Sequence, residues 1–163
     1  MNFRPLALAW AMAVAATPAL AQAPAREPAA PYRAGQIEVA QPWIRATPNG
    51  AATAAAYFTL VNRGHTPDRL VSARSVLARQ AQIHQMSMVG GVMRMREVSG
   101  GVAVAPGQVT SLLPGGPHLM LIGLAHAFRA GEKVPVTLTF ARSGSVTAEF
   151  DVREDAPAPA PMR

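Results

Sequence analysis

Between Gln36 and Val152 the apolar residues fall in short runs, many alternating with polar positions and many β-branched, and Gly, Pro or Asn interrupts them at close intervals. A period of two with turn residues every 8 to 12 or so positions is the pattern of a layered β-protein. It predicts strands over Ile37–Arg45, Ala54–Asn62, Arg69–Ser75, Gln80–Met88, Val92–Val98, Gln108–Leu113, Leu119–Leu124, Val134–Ala141 and Ser145–Val152. Turns are expected at Asn62-Arg63-Gly64, Gly90-Gly91, Pro106-Gly107, Pro114-Gly115-Gly116 and Ser143-Gly144, where glycine and proline supply the dihedrals a reversal needs. No long, capped 3.6-residue repeat occurs, and the alanine-rich run Ala51–Ala56 is read as strand or loop. The fold class predicted is all-β.

The flanks have a different composition. Residues 1–21 carry a basic Arg4, an apolar run from Pro5 to Val14 and an Ala19-Leu20-Ala21 cleavage site, so they read as an export signal cleaved near Ala21. The run is too short, and too soon broken by Pro18, to span a bilayer. Residues 22–35 and 153–163 are rich in alanine and proline and are expected to be flexible, leaving one domain over 36–152. Loss of Arg4 takes the net charge from +6 to +5, and every other positive side chain except Lys133 is a scattered arginine. Scattered charge on an exported chain argues against a nucleic-acid partner. The chain has no cysteine, which excludes thiolate zinc sites, redox CxxC pairs, cysteine nucleophiles and the His2Cys blue-copper centre.

Candidate chemistry is concentrated between His84 and Met120, which hold His84, Met86, Met88, Met93, Met95, His118 and Met120. If Gly90-Gly91 is a two-residue hairpin turn, His84, Met86 and Met88 share a face with Met93 and Met95 of the next strand, with Met86 opposite Met95 and His84 diagonal to it. In His118-Leu119-Met120 the first and third residues share a side, and the Pro114–Pro117 turn can bring them to face the hairpin. The candidate ligand set is His84, Met95, His118 and Met120, with Met86 as a possible accessory; Met88 and Met93 are read as filler or supporting residues, and His65 and His126 as surface residues. Neutral, polarizable thioethers favour monovalent copper over zinc, calcium or magnesium, and two imidazoles add affinity without adding charge.

At these residues the chain resembles the periplasmic copper chaperones of the PCu(A)C family, whose motif is His, ten residues, Met, about twenty-one residues, then His-x-Met. His84 and Met95 are separated by ten residues, and Arg96–Pro117 supplies twenty-two before His118, one more than the motif. Further likeness runs through Trp43-Ile44-Arg45-Ala46, Tyr57-Phe58-Thr59-Leu60, Asp68-Arg69-Leu70, Gly91–Arg96, Gly116–Met120 and Val136–Phe140. The resemblance implies a cupredoxin-like Greek-key β-sandwich that binds copper(I) and delivers it to the copper subunit of cytochrome c oxidase or to a Sco-type protein. A His- and Met-rich tail found in some relatives is missing, since the C-terminal segment offers only Met162, so a single site is expected.

The expected protein is a monomeric, exported, non-enzymatic copper(I) carrier with no stable membrane insertion. A copper oxidoreductase and a structural or adhesive β-sandwich are the rival readings. The first is disfavoured by the scarcity of acid and base groups, Glu97 being the only carboxylate between His84 and Met120. No G-x-S-x-G or H-E-x-x-H motif supports a hydrolase.

Overall fold

Ala54, Ala56, Phe58 and Leu60 alternate along one strand with Ala55, Thr59 and Val61, and the first set is buried while the second is half-buried. The same alternation puts Val134, Val136, Leu138 and Phe140 of a later strand inside. Burial of these side chains at roughly 25 cal/mol per Å² of apolar surface drives the strands into layers. In a computed structural model that describes residues 31–156, the chain forms eleven strands and, among the described residues, no helix. They are β1 (Tyr32–Ala34), β2 (Ile37–Arg45), β3 (Thr53–Asn62), β4 (Asp68–Arg74), β5 (Ala78–Val89), β6 (Val92–Glu97), β7 (Val102–Val104), β8 (Val109–Leu112), β9 (His118–Leu124), β10 (Lys133–Phe140) and β11 (Gly144–Arg153).

The strands hydrogen-bond in the order β6-β5-β9-β3-β2-β11-β10-β4-β7, with β1 added to β2 and β8 to β3. All pairings are antiparallel except β11 with β2. This mixed sheet folds over one core, since Leu70 of β4 and Val104 of β7 join the same cluster as Ile83 of β5 and Leu119 of β9 from the far end of the path. Across that core Phe58 of β3 meets Phe150 of β11 edge to face, with ring centroids 5.6 Å apart. The all-β, cupredoxin-like architecture expected from the sequence is the one observed.

A bulge in β2 makes the fold-over possible. Gln41 adopts φ 50°, and the pairing with β3 slips between Ala40 and Trp43, next to Pro42, which has no N–H to give to a ladder. Before the bulge β2 pairs with β1; after it, with β11. A strand that changes partners at a bulge is the usual corner between two layers.

Two short strands escape the sequence pattern. Tyr32–Ala34 lies in the segment expected to be flexible, yet it pairs with β2 and Ala34 is buried, so the ordered domain begins earlier. Val102–Val104 pairs with β4 and buries Val104. Three residues are too few for a period of two to register, and these strands form because a neighbouring edge accepts them. At the other end Arg153 closes β11 rather than opening the tail. The export signal of 1–21 and most of the C-terminal segment lie outside the described residues.

Candidate metal centre

The β5–β6 hairpin turns at Gly90 and Gly91, whose φ values of 60° and 78° are the pair of positive dihedrals that a tight two-residue turn requires. The register that follows places Met86 opposite Met95, Met88 opposite Met93, and His84 opposite Glu97. Met95 is therefore diagonal to His84, as the spacing predicts. The diagonal is closed by contact: His84 Nδ1 lies 3.1 Å from Met95 Sδ.

On its other edge β5 pairs with β9, which puts His84 directly opposite His118 and Gln82 opposite Met120. Residues paired across a ladder share a face, so His84, His118 and Met120 look out from the same side of the sheet, while Ile83, Leu119 and Leu121 look into the core. The two imidazole centroids are 6.2 Å apart and nearly perpendicular. On the far side of β9, Met120 faces Ala55 of β3, a small side chain that leaves the half-buried thioether room.

His118 is only 5% exposed although it sits on the outward face, because Tyr57 walls it in at 6.2 Å between ring centroids and Trp43 backs Tyr57 at 4.6 Å. The imidazole is held from one side by the Gly116 carbonyl, 2.9 Å from Nδ1. A carbonyl can only accept, so the proton is on Nδ1 and the Nε2 lone pair is left for a ligand. Gly115, at φ 84°, belongs to the Pro114–Pro117 turn that presents this carbonyl. His84 is oriented the opposite way: Nε2 lies 3.1 Å from Gln82 Oε1. Its other ring nitrogen, Nδ1, is the atom that meets Met95.

Burial pushes the Tyr57 phenol above its ordinary pKa and Arg45 opposes this only in part, so no phenolate is present near neutral pH. Among the described residues no three His, Cys, Asp or Glu side chains cluster tightly enough to hold a metal ion. What the face does offer is the Met95 sulfur beside the His84 imidazole, a donor pair that suits soft monovalent ions better than zinc or calcium.

The remaining sequence candidates separate cleanly. His65 is exposed on the β3–β4 connection, and His126 is exposed, 3.6 Å from Glu132 and edge-on to Phe128. Met86 is half-buried on the ligand face. Met88 and Met93 are not core filler: both are exposed, because the hairpin projects beyond the layers that would cover them. Gln82, Tyr57 and the Gly116 carbonyl were not picked out by spacing. Gln82 alone carries a signal, being two residues before His84 on the same strand face.

Known structures share this arrangement of strands. The domain superposes on the copper-bound PCuAC domain from PmoF2 with a TM-score of 0.64 and 27% identity, covering 77% of this chain and 98% of that one. The solution structure of copper(I)-DR1885 from Deinococcus radiodurans gives a TM-score of 0.58 at 25% identity, over 80% of this chain and 85% of that one. The fold is thus that of the PCuAC domains. The putative lipoprotein Lxx21020 of Leifsonia xyli subsp. xyli is 31% identical over 137 residues, 84% of this chain and 78% of that protein. A family model described as "Putative lipoprotein LpqE-like" matches residues 37–152, and the chain belongs to this LpqE-like, PCuAC-type family.

Proposed function

We propose that the protein is a copper(I) carrier, with His84, Met95, His118 and Met120 as the ligands. The observation that supports this most is the contact of His84 Nδ1 with Met95 Sδ at 3.1 Å beside the His118 ring: soft sulfur and nitrogen donors are already gathered on an outward face. The likeness to PCuAC domains solved with copper agrees with it. Four neutral donors leave the ion its single positive charge, so a divalent ion would stay uncompensated in the half-buried site. Release proceeds by ligand exchange, a recipient's donor bonding to the ion as one thioether or imidazole bond breaks, with no change in the oxidation state of the copper.

The recipient in this reading is the copper subunit of cytochrome c oxidase or a Sco-type protein. The leader of 1–21, cleaved near Ala21, sends the chain to the periplasm, and the lipoprotein relatives favour export. No helix among the described residues is long and apolar enough to cross a membrane. The carrier works as a monomer and without turnover of a substrate.

Met95→Ala tests the ligand set cleanly, because Met95 is half exposed and its loss leaves the core intact. Competition against a copper(I) chelator is expected to show a loss of affinity of roughly a hundredfold or more, about 2.7 kcal/mol. An unchanged dissociation constant would remove Met95, and with it the proposed centre.

A further inference from the structure

The proposed centre leaves three hairpin thioethers unaccounted for. Met86 pairs with Met95 and Met88 with Met93, so the four form two successive rungs on the face that carries His84. Val89 and Val92 flank the two-residue turn as the backbone pair that closes it, which puts both methionine rungs in the alternate, closely spaced class of antiparallel pairs. The ladder starts at the proposed copper ligands and ends at the hairpin tip. Its outer members are open to solvent: Met88 is 66% exposed and Met93, like Met95, 50%.

Packing does not account for that exposure. A flexible apolar side chain facing water gains nothing from burial, and β6 is the last strand of the hydrogen-bonded path. Charge is sorted in the same sense. Arg94 and Arg96 alternate onto the reverse face of β6, opposite Ser87 and Gln85, so the ladder face of the hairpin holds four sulfurs, His84 and Glu97 and no cationic side chain. Sulfur without competing positive charge is a surface for a soft cation.

We propose that the Met88–Met93 rung, together with Met86, is a second and weaker station for a soft monovalent cation, through which copper(I) passes between the inner centre and a recipient. This rests on the copper(I) reading of the inner centre and adds a station to the single site expected from the sequence. In each step a sulfur lone pair of the next rung forms a bond to the ion as a thioether or imidazole bond behind it breaks. No electron or proton moves, and the charge of the ion is unchanged. With thioethers alone and no imidazole, the outer station holds the ion less tightly and releases it first.

Silver(I), soft, monovalent and redox-inert under these conditions, is the probe. It is titrated into the full mature chain labelled at the methionine methyl carbons and followed by NMR. The first equivalent is expected to shift Met95 and Met120 together with the rings of His84 and His118. A second, at least about tenfold weaker, is expected to shift Met88 and Met93. Met88→Leu with Met93→Leu, which keeps the apolar surface and removes the sulfur, should abolish the second event and leave the first as it was. Absence of a second event at these methyls, or its survival in the double variant, overturns the outer station. Failure of the first equivalent to move the inner four residues overturns the copper reading instead.

Discussion

The two imidazoles on the outward face use their nitrogens differently. His118 gives its Nδ1 proton to the Gly116 carbonyl, while His84 has Gln82 Oε1 beside its Nε2 and Met95 Sδ beside its Nδ1, so the ring that meets Met95 is oriented by a side-chain amide rather than by the backbone. Partners of this kind, one bond removed from a ligand, commonly change metal affinity by about 10- to 100-fold. Gln82→Leu is accordingly expected to weaken copper(I) binding within that range in chelator competition and to shift the His84 tautomer in nitrogen-resolved NMR. Stability should change by less than about 0.5 kcal/mol, because Gln82 is outside the core. An unaltered tautomer would show that Gln82 does not orient the ring. The placement of His84 beside Met95 was legible from spacing, because strand parity and a two-residue turn leave few alternatives, whereas its pairing with His118 was not, since which strand takes the other edge of β5 is settled by the tertiary fold. Gln82 was not, since its contact depends on a rotamer. Met88 and Met93 were read as filler or supporting residues, and the first of these fails because sequence does not tell how far a hairpin outruns its core.

At the level of elements, the hairpin's parity holds the arrangement together. A slip of one residue would turn every methionine of β6 to the reverse face. The turn prevents this through two positive-φ residues, and a Cβ at either would meet nothing within 4 Å, so the constraint is conformational and not spatial. Gly91→Val is expected to cost about 1–2 kcal/mol of hairpin stability, since a β-branched residue resists the left-handed region. Gly91→Asn, which tolerates that region, should cost much less. Chelator competition should show weaker copper(I) binding for valine than for asparagine, with far-UV circular dichroism unchanged in both; equal affinities would mean that the turn does not set the register. The nine longer strands were visible in the alternation, with ends moved by a residue or two. The bulge at Gln41 was not, because one slipped residue is settled by which neighbours β2 must reach on each side of the corner.

Over the whole molecule, stability against acid depends on a carboxylate far from the metal face. Asp68 is buried at the start of β4 and accepts backbone N–H groups from Arg69 at 2.7 Å, Arg142 at 3.0 Å and Ser143 at 2.9 Å, which ties β4 to the β10–β11 turn. Burial alone would raise its pKa, but these bonds and one from the Ser143 side chain outweigh burial and hold it below the ordinary carboxylate value. The unfolded chain therefore binds this proton more readily than the folded one. Asp68 contributes its full stabilisation above the unfolded carboxylate pKa and loses it as the pH falls through the lowered folded value. Urea midpoints measured downward from neutral pH should fall for the wild type and fall less steeply for Asp68→Asn, which starts lower; parallel curves would exclude Asp68 as the acid-sensitive staple. None of this touches His84 or Met120, whose strands carry Ile83, Leu119 and Leu121 on their filled inner sides. A cargo resting on the outer side of such strands opens no hollow when it leaves and shifts no layer when it arrives. Unlike a metal-nucleated finger, which unravels when stripped, the emptied carrier is a finished protein that can be refilled without refolding.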